Sequence, residues 1–169
     1  MKKRAGFTLI ELLIVMAIIA ALMAVLIPTA AGAMRKARAT RIAVQLRNLE
    51  QGIEQYLMAT LPPATEINFV SDSSKLTDGG FVDAQILSDT NLRTAEAIPD
   101  TANNQIVIAV EYDTGNGTLA DLVKGTLVQT YGDGGNTYPP AFDASTSEGV
   151  YVDGNGKVAV VKKIEAFWW

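Results

Sequence analysis

Few groups in this 169-residue chain could do chemistry, because it contains no histidine and no cysteine. Their absence removes Ser-His-Asp and Cys-His nucleophilic sites, imidazole- and thiolate-bound metals, and any disulfide framework. Carboxylates, amines and hydroxyls remain, and no pair of acids falls in a motif that favours hydrolysis. Gly154-Asn155-Gly156-Lys157-Val158-Ala159 fits the GxGxxA dinucleotide pattern in its letters, but β-type residues follow where a phosphate-binding helix should begin. Asp153-Gly154-Asn155-Gly156-Lys157 opens like a calcium loop, yet its twelfth position is Ile164, where an EF-hand needs a bidentate glutamate. Asn116-Gly117-Thr118 fits a glycosylation acceptor, a pattern so short that it is weak on its own. One carboxylate is different. Glu11 is the single charge in the apolar stretch from Phe7 to Ile27, and an acid in such a setting is normally paired or functional.

The element that carries Glu11 must be long. From Leu12 the uncharged run continues to Met34, enough, at about 1.5 Å of rise per helical residue, to cross a hydrocarbon core of roughly 30 Å. It is apolar all round, with no 3.6-residue periodicity, as a membrane helix or a fully buried helix is. A secretory signal peptide shares the basic start at Lys2, Lys3 and Arg4. This run, however, is longer than a signal h-region, and Ala30-Ala31-Gly32-Ala33 is its only cut-site candidate. Basic residues also follow it, at Arg35, Lys36, Arg38 and Arg41, so charge alone does not orient the helix.

Beyond that cluster Ile42, Leu46, Leu49, Ile53 and Leu57 recur at spacings of four, three, four and four. They form one face of an amphipathic helix on the same axis, expected to bury against the domain that follows. Arg47 and Glu50 or Glu54 read as its solvated face. Leu61-Pro62-Pro63 ends the helix, because proline lacks an N–H and disfavours helix in the residue before it. The expected helix thus runs from Phe7 to about Thr60.

From Pro62 the texture becomes rich in Ser, Thr, Asp, Asn and Gly with short apolar bursts. Ile106 to Tyr112 reads as a strand buried on both faces, and Val150 to Val152 with Lys157 to Val161 as a hairpin around Asp153-Gly154-Asn155-Gly156. Thr118 could cap a helix carrying Leu119, Leu122, Val123 and Leu127, although Gly125 weakens it. Phe167-Trp168-Trp169 suits packing onto the sheet or contact with another subunit. The fold class is α+β: a long N-terminal helix packed on an antiparallel sheet in a globular head. Charge divides the same way. Residues 1 to 47 hold eight of the 14 Lys and Arg and one acid, a balance of +7 against −11 for the rest. That polarity fits a membrane contact at one end and a solvated acidic surface at the other.

Lys3-Arg4, then Gly6-Phe7-Thr8-Leu9-Ile10-Glu11 and an apolar helix with Pro28 near its end, resemble the N-terminus of type IV prepilins and of the pseudopilins of type II secretion. The resemblance covers Lys3 to about Leu61. It implies a leader at 1–6, a long helix at 7–61 (membrane span and filament core at 7–34, amphipathic at 35–61) and a head at 62–169. It also implies cleavage between Gly6 and Phe7 by prepilin peptidase, N-methylation of Phe7, and assembly in which Glu11 pairs with the Phe7 amine of a neighbouring subunit. The implied partners are further copies of the chain, the peptidase-methyltransferase, an inner-membrane assembly platform, the bilayer before assembly, and minor pilins. Pro28, with Gly32 one turn on, is expected to kink the helix in the membrane and to melt the stretch before it in a filament.

A structural pilin serving adhesion, motility or DNA uptake is therefore the leading expectation. A pseudopilin is the alternative, disfavoured because Ala59-Thr60-Leu61-Pro62-Pro63 stands where major pseudopilins tend to carry Tyr-Pro-Thr. A membrane-tethered enzyme is a distant third. No cofactor is expected. Related pseudopilins hold calcium in head loops, which makes Asp133, Asp143 and Asp153 weak metal candidates beside the simpler reading of solvated loop acids.

Overall fold

The computed structural model describes residues 7–67, 74–135 and 137–169. The chain divides into two compact units, Met1–Ala37 and Arg38–Trp169. Helix α1, Leu9–Thr60, enters both. In the first unit it is exposed on all sides, including Leu12, Leu13, Ile14, Leu22 and Ile27, and its 18-residue apolar window has a mean hydropathy of 3.0 with none of it buried. The helix starts two residues later than the sequence suggests, because Thr8 acts as its cap.

In the second unit the stripe predicted on α1 does the packing. Ile42, Leu46, Leu49, Ile53 and Leu57 are all buried. They share one core with Ile106, Ile108 and Val110 of strand β2 and with Val158 and Val160 of strand β4. The sheet is antiparallel with order β1-β2-β4-β3, where β1 is Leu92–Asp100, β2 Gln105–Asp113, β3 Gly149–Val152 and β4 Lys157–Glu165. Because side chains alternate along a strand, Val107 and Ala109 point to the opposite face and join a second small core with Tyr151, Ala159 and Val161. Ile98, Tyr138 and Phe142 pack onto that outer cluster. The run Ile106 to Val110 is apolar without alternation since helices cover one face and Tyr138 and Phe142, from the segment ahead of β3, help cover the other.

The β3–β4 hairpin lies where its sequence put it. The Asp153 carboxylate accepts from the backbone N–H groups of Asn155, Gly156 and Lys157 at 3.1, 2.9 and 2.6 Å, and Gly156 takes a φ of 115°, which favours glycine. Strand β1 was not foreseen. It carries Pro99, and a proline is tolerated there because β1 is an edge strand. Helix α4, Gly117–Tyr131, is capped by Asn116 and not by Thr118, with the Asn116 side chain accepting from the N–H of Leu119 at 3.1 Å. Gly125 is accommodated in its interior. The short helices α2, Ser74–Asp78, and α3, Ala84–Leu87, complete the head, with a 3-10 turn at Ala64–Glu66.

Where α1 passes residues 81 and 82 only glycine fits. A Cβ on Gly52 would meet the Val82 side chain at 2.3 Å and the Phe81 carbonyl at 2.7 Å. Gly52→Ala gains about 1 kcal/mol of helix propensity but forces backbone apart at a cost of roughly 1–3 kcal/mol. The expected result is a net loss of stability, read as a lowered thermal midpoint of the head. An unchanged or raised midpoint would show that the 81–82 segment yields freely.

Trp168 and Trp169 take the packed alternative within the chain. Both indole N–H groups donate to the Pro62 carbonyl, at 2.9 and 3.2 Å, and both rings pack against the main core. Phe167 stays exposed.

Candidate functional site

The start of α1 is built from Thr8 and Glu11. The Thr8 carbonyl accepts the first helical bond from Leu12 at 3.2 Å. Its hydroxyl lies 3.4 Å from the N–H of Glu11, and the Glu11 carboxylate accepts from the Thr8 N–H at 2.8 Å and from the Thr8 hydroxyl at 2.7 Å. This is a reciprocal capping box, Thr-x-x-Glu, which occupies two of the donors that a helix N-terminus leaves unpaired. Such pairing matters most where no water is available. The Thr8-Leu9-Ile10-Glu11 spacing was visible in the sequence, but Thr8 was not singled out there. Phe7, just ahead of the cap, is 87% exposed. Gly6 lies outside the described residues.

Pro28 sits inside α1, which continues through it without a break. Having no N–H, it leaves the Ala24 carbonyl without its usual helical donor. One residue on, the Thr29 hydroxyl donates to the carbonyls of Val25 and Leu26 at 3.2 and 2.9 Å. A Cβ on Gly32 would meet nothing within 4 Å, so no contact made by the described residues demands a glycine there.

The first 27 residues match the family model of the prokaryotic N-terminal methylation motif. The chain carries the hallmark of type IV pilins and pseudopilins. The motif implies processing by a prepilin peptidase and assembly of the pilin type, and proteins that bear it are typically structural. Comparison with curated proteins and with solved structures found no match. The methylation motif therefore describes the start of α1, and the head must be read from its own geometry.

In the head, the sequence reading of Glu50 needs correction. Glu50 is buried, with 1% of its surface exposed, and does not belong to a solvated face. Its Oε2 accepts from the Tyr131 hydroxyl at 2.7 Å. Its Oε1 lies 3.2 Å from the Lys162 ammonium, too obliquely for a hydrogen bond but close enough for a counter-charge. Lys162 also reaches Glu54 at 2.5 Å. Burial pushes the lysine pKa down, but the bond to Glu54 and the charges of Glu50 and Glu54 outweigh it and raise the pKa above the ordinary value. Burial and the bond to Glu50 push Tyr131 up. The cluster ties α1 to β4 and to the last turn of α4. Its signal in the sequence was position: Glu50 lies four residues after Leu46 and three before Ile53, on the buried stripe itself.

Asp133, Asp143 and Asp153 are each engaged locally. Asp133 pairs with Lys124 at 2.7 Å, Asp143 accepts from Ser145 and Thr146, and Asp153 closes the hairpin turn. The bonds from Lys124, Ser145 and their neighbours hold the Asp133 and Asp143 carboxyls below their usual pKa. Among the described residues no three acids come together as a metal site would need.

Proposed function

We propose that this chain is a structural subunit of a type IV pilus. On this reading a prepilin peptidase cuts it between Gly6 and Phe7 and methylates the new amine. The subunit waits in the inner membrane through the apolar half of α1, and an assembly platform then adds it to a helical homopolymer, alongside minor pilins. The observation that carries the reading is the methylation motif joined to an exposed apolar helix: among the described residues of its own unit, Leu9 to Met34 has no covering partner. A surface of that kind is stable only in lipid or against like helices. Polymerisation replaces the first with the second. A pseudopilin of type II secretion would share each of these features, and the absence of Tyr-Pro-Thr after the helix favours the pilus.

Intact mass of the filament protein tests the processing step. The expected chain starts at Phe7 with one added methyl group, because Gly6 presents an unhindered peptide bond to the protease. A start near Ala33 would remove the pilin reading.

The same proposal extends to Pro28. In lipid an unpaired carbonyl is costly, which favours the unbroken helix of the free subunit. In the filament, with neighbours to supply partners, the stretch before Pro28 is expected to open into extended backbone and lend extensibility. A filament reconstruction at side-chain resolution decides this, and continuous helix from Ala20 to Pro28 would count against melting.

A further inference from the structure

Arg38 and Arg41 stand on the first turns of α1 within the second unit, both exposed, and neither forms an ion pair among the described residues. With Gln45, Asn91 and Tyr112 they line a groove of about 370 Å³. Among the described residues the single acid in its lining is Asp89, whose carboxylate already accepts from the Tyr112 hydroxyl at 3.1 Å and from the Asn91 N–H at 3.0 Å. Two guanidinium groups thus face one engaged carboxylate, in a unit whose acids otherwise outnumber its bases. The positive field of Arg41 extends to the Tyr112 hydroxyl.

We propose that this groove receives the phosphate of a membrane phospholipid, anionic phosphatidylglycerol being the best fit, and so clamps the head to the bilayer surface before assembly. Guanidinium forks bind phosphate oxygens in pairs, and the amides of Gln45 and Asn91 supply further donors. Position names lipid as the source. Arg38 and Arg41 follow Met34, the last residue of the uncharged run, by four and seven residues. A basic pair that follows an apolar span so closely in sequence is of the kind that anionic lipid headgroups attract. Arginine stems are long enough to carry their charge to a headgroup while the stem itself packs on apolar surface. The inference rests on the membrane-resident stage of the proposed function.

The test uses the full chain, which has no cysteine of its own. A nitroxide is attached through Thr90→Cys, an exposed position beside Asn91, and the protein is reconstituted into nanodiscs containing phosphatidylglycerol. Phosphorus-31 relaxation of the lipid headgroups is then measured, with flotation on liposomes as the check on insertion. Enhanced relaxation is expected with native arginines, falling severalfold in Arg38→Gln/Arg41→Gln while flotation persists. Flotation with equal relaxation in both proteins overturns the groove alone. Failure of the native chain to float overturns the membrane stage and the clamp together. Loss of the enhancement on adding inorganic phosphate at constant ionic strength overturns lipid as the occupant in favour of a free phosphate.

Discussion

Glu11→Ala is expected to leave few or no filaments while leader removal and membrane insertion proceed. The carboxylate has two duties that one substitution removes together. Within its own chain it closes the capping box with Thr8. In the proposed filament it also offers the counter-charge to a neighbour's Phe7 amine, a positive group that would otherwise enter an apolar core unpaired. Glu11→Gln separates the duties, because glutamine still completes a capping box but carries no charge. Filament yield by shearing and electron microscopy, with intact mass as the check on cleavage, gives the answer. If the glutamine variant assembles like the native chain, helix capping is the whole role of Glu11 and the charge pairing is wrong.

The second large effect is expected in the head. Lys162→Met removes the counter-charge from Glu50, which stays 1% exposed on the core side of α1. Breaking a buried pair by deleting one partner costs about 3–5 kcal/mol, and because Lys162 retains some exposure the lower end applies, about 3 kcal/mol. Glu50→Leu with Lys162→Met should recover much of that loss, since an apolar pair of similar volume leaves no charge stranded. Urea unfolding of the isolated mature protein in detergent reads both. A midpoint unmoved by Lys162→Met would show that Glu50 is protonated or hydrated there.

The same cluster sets a pH dependence. The Lys162 pKa is raised in the folded state, so its contribution is complete below the ordinary lysine value of 10.5 and is lost as pH rises through the higher folded value. The raised Tyr131 hydroxyl acts in the same direction, because the unfolded chain ionises first, near 10.0. Stability of the native head should therefore fall on the alkaline side of pH 10, and more steeply than in the Lys162→Met variant.

The methylation motif and the helix that follows it were legible in the sequence for a physical reason: their determinants are local. Hydrocarbon thickness fixes the length of an apolar run, and the capping box spans only Thr8 to Glu11. The stripe Ile42, Leu46, Leu49, Ile53 and Leu57 obeys helical geometry whatever it packs against, and the turn at Asp153 to Gly156 needs only its own residues. What required tertiary structure is whatever joins distant parts of the chain. Strand β1 was hidden because Pro99 argues against a strand until an edge position makes it harmless. Glu50 reads as a surface acid until Tyr131, 81 residues away, and Lys162, farther still, arrive to bond it. Asp133, Asp143 and Asp153 look like a ligand set by type, and only the fold hands them separately to Lys124, to the 143–146 turn and to the hairpin. Periodicity is a property of one element, so sequence alone determined the helix, its apolar half and its buried face. Burial of a charge depends on the partners that fold around it, and only the tertiary structure decided that.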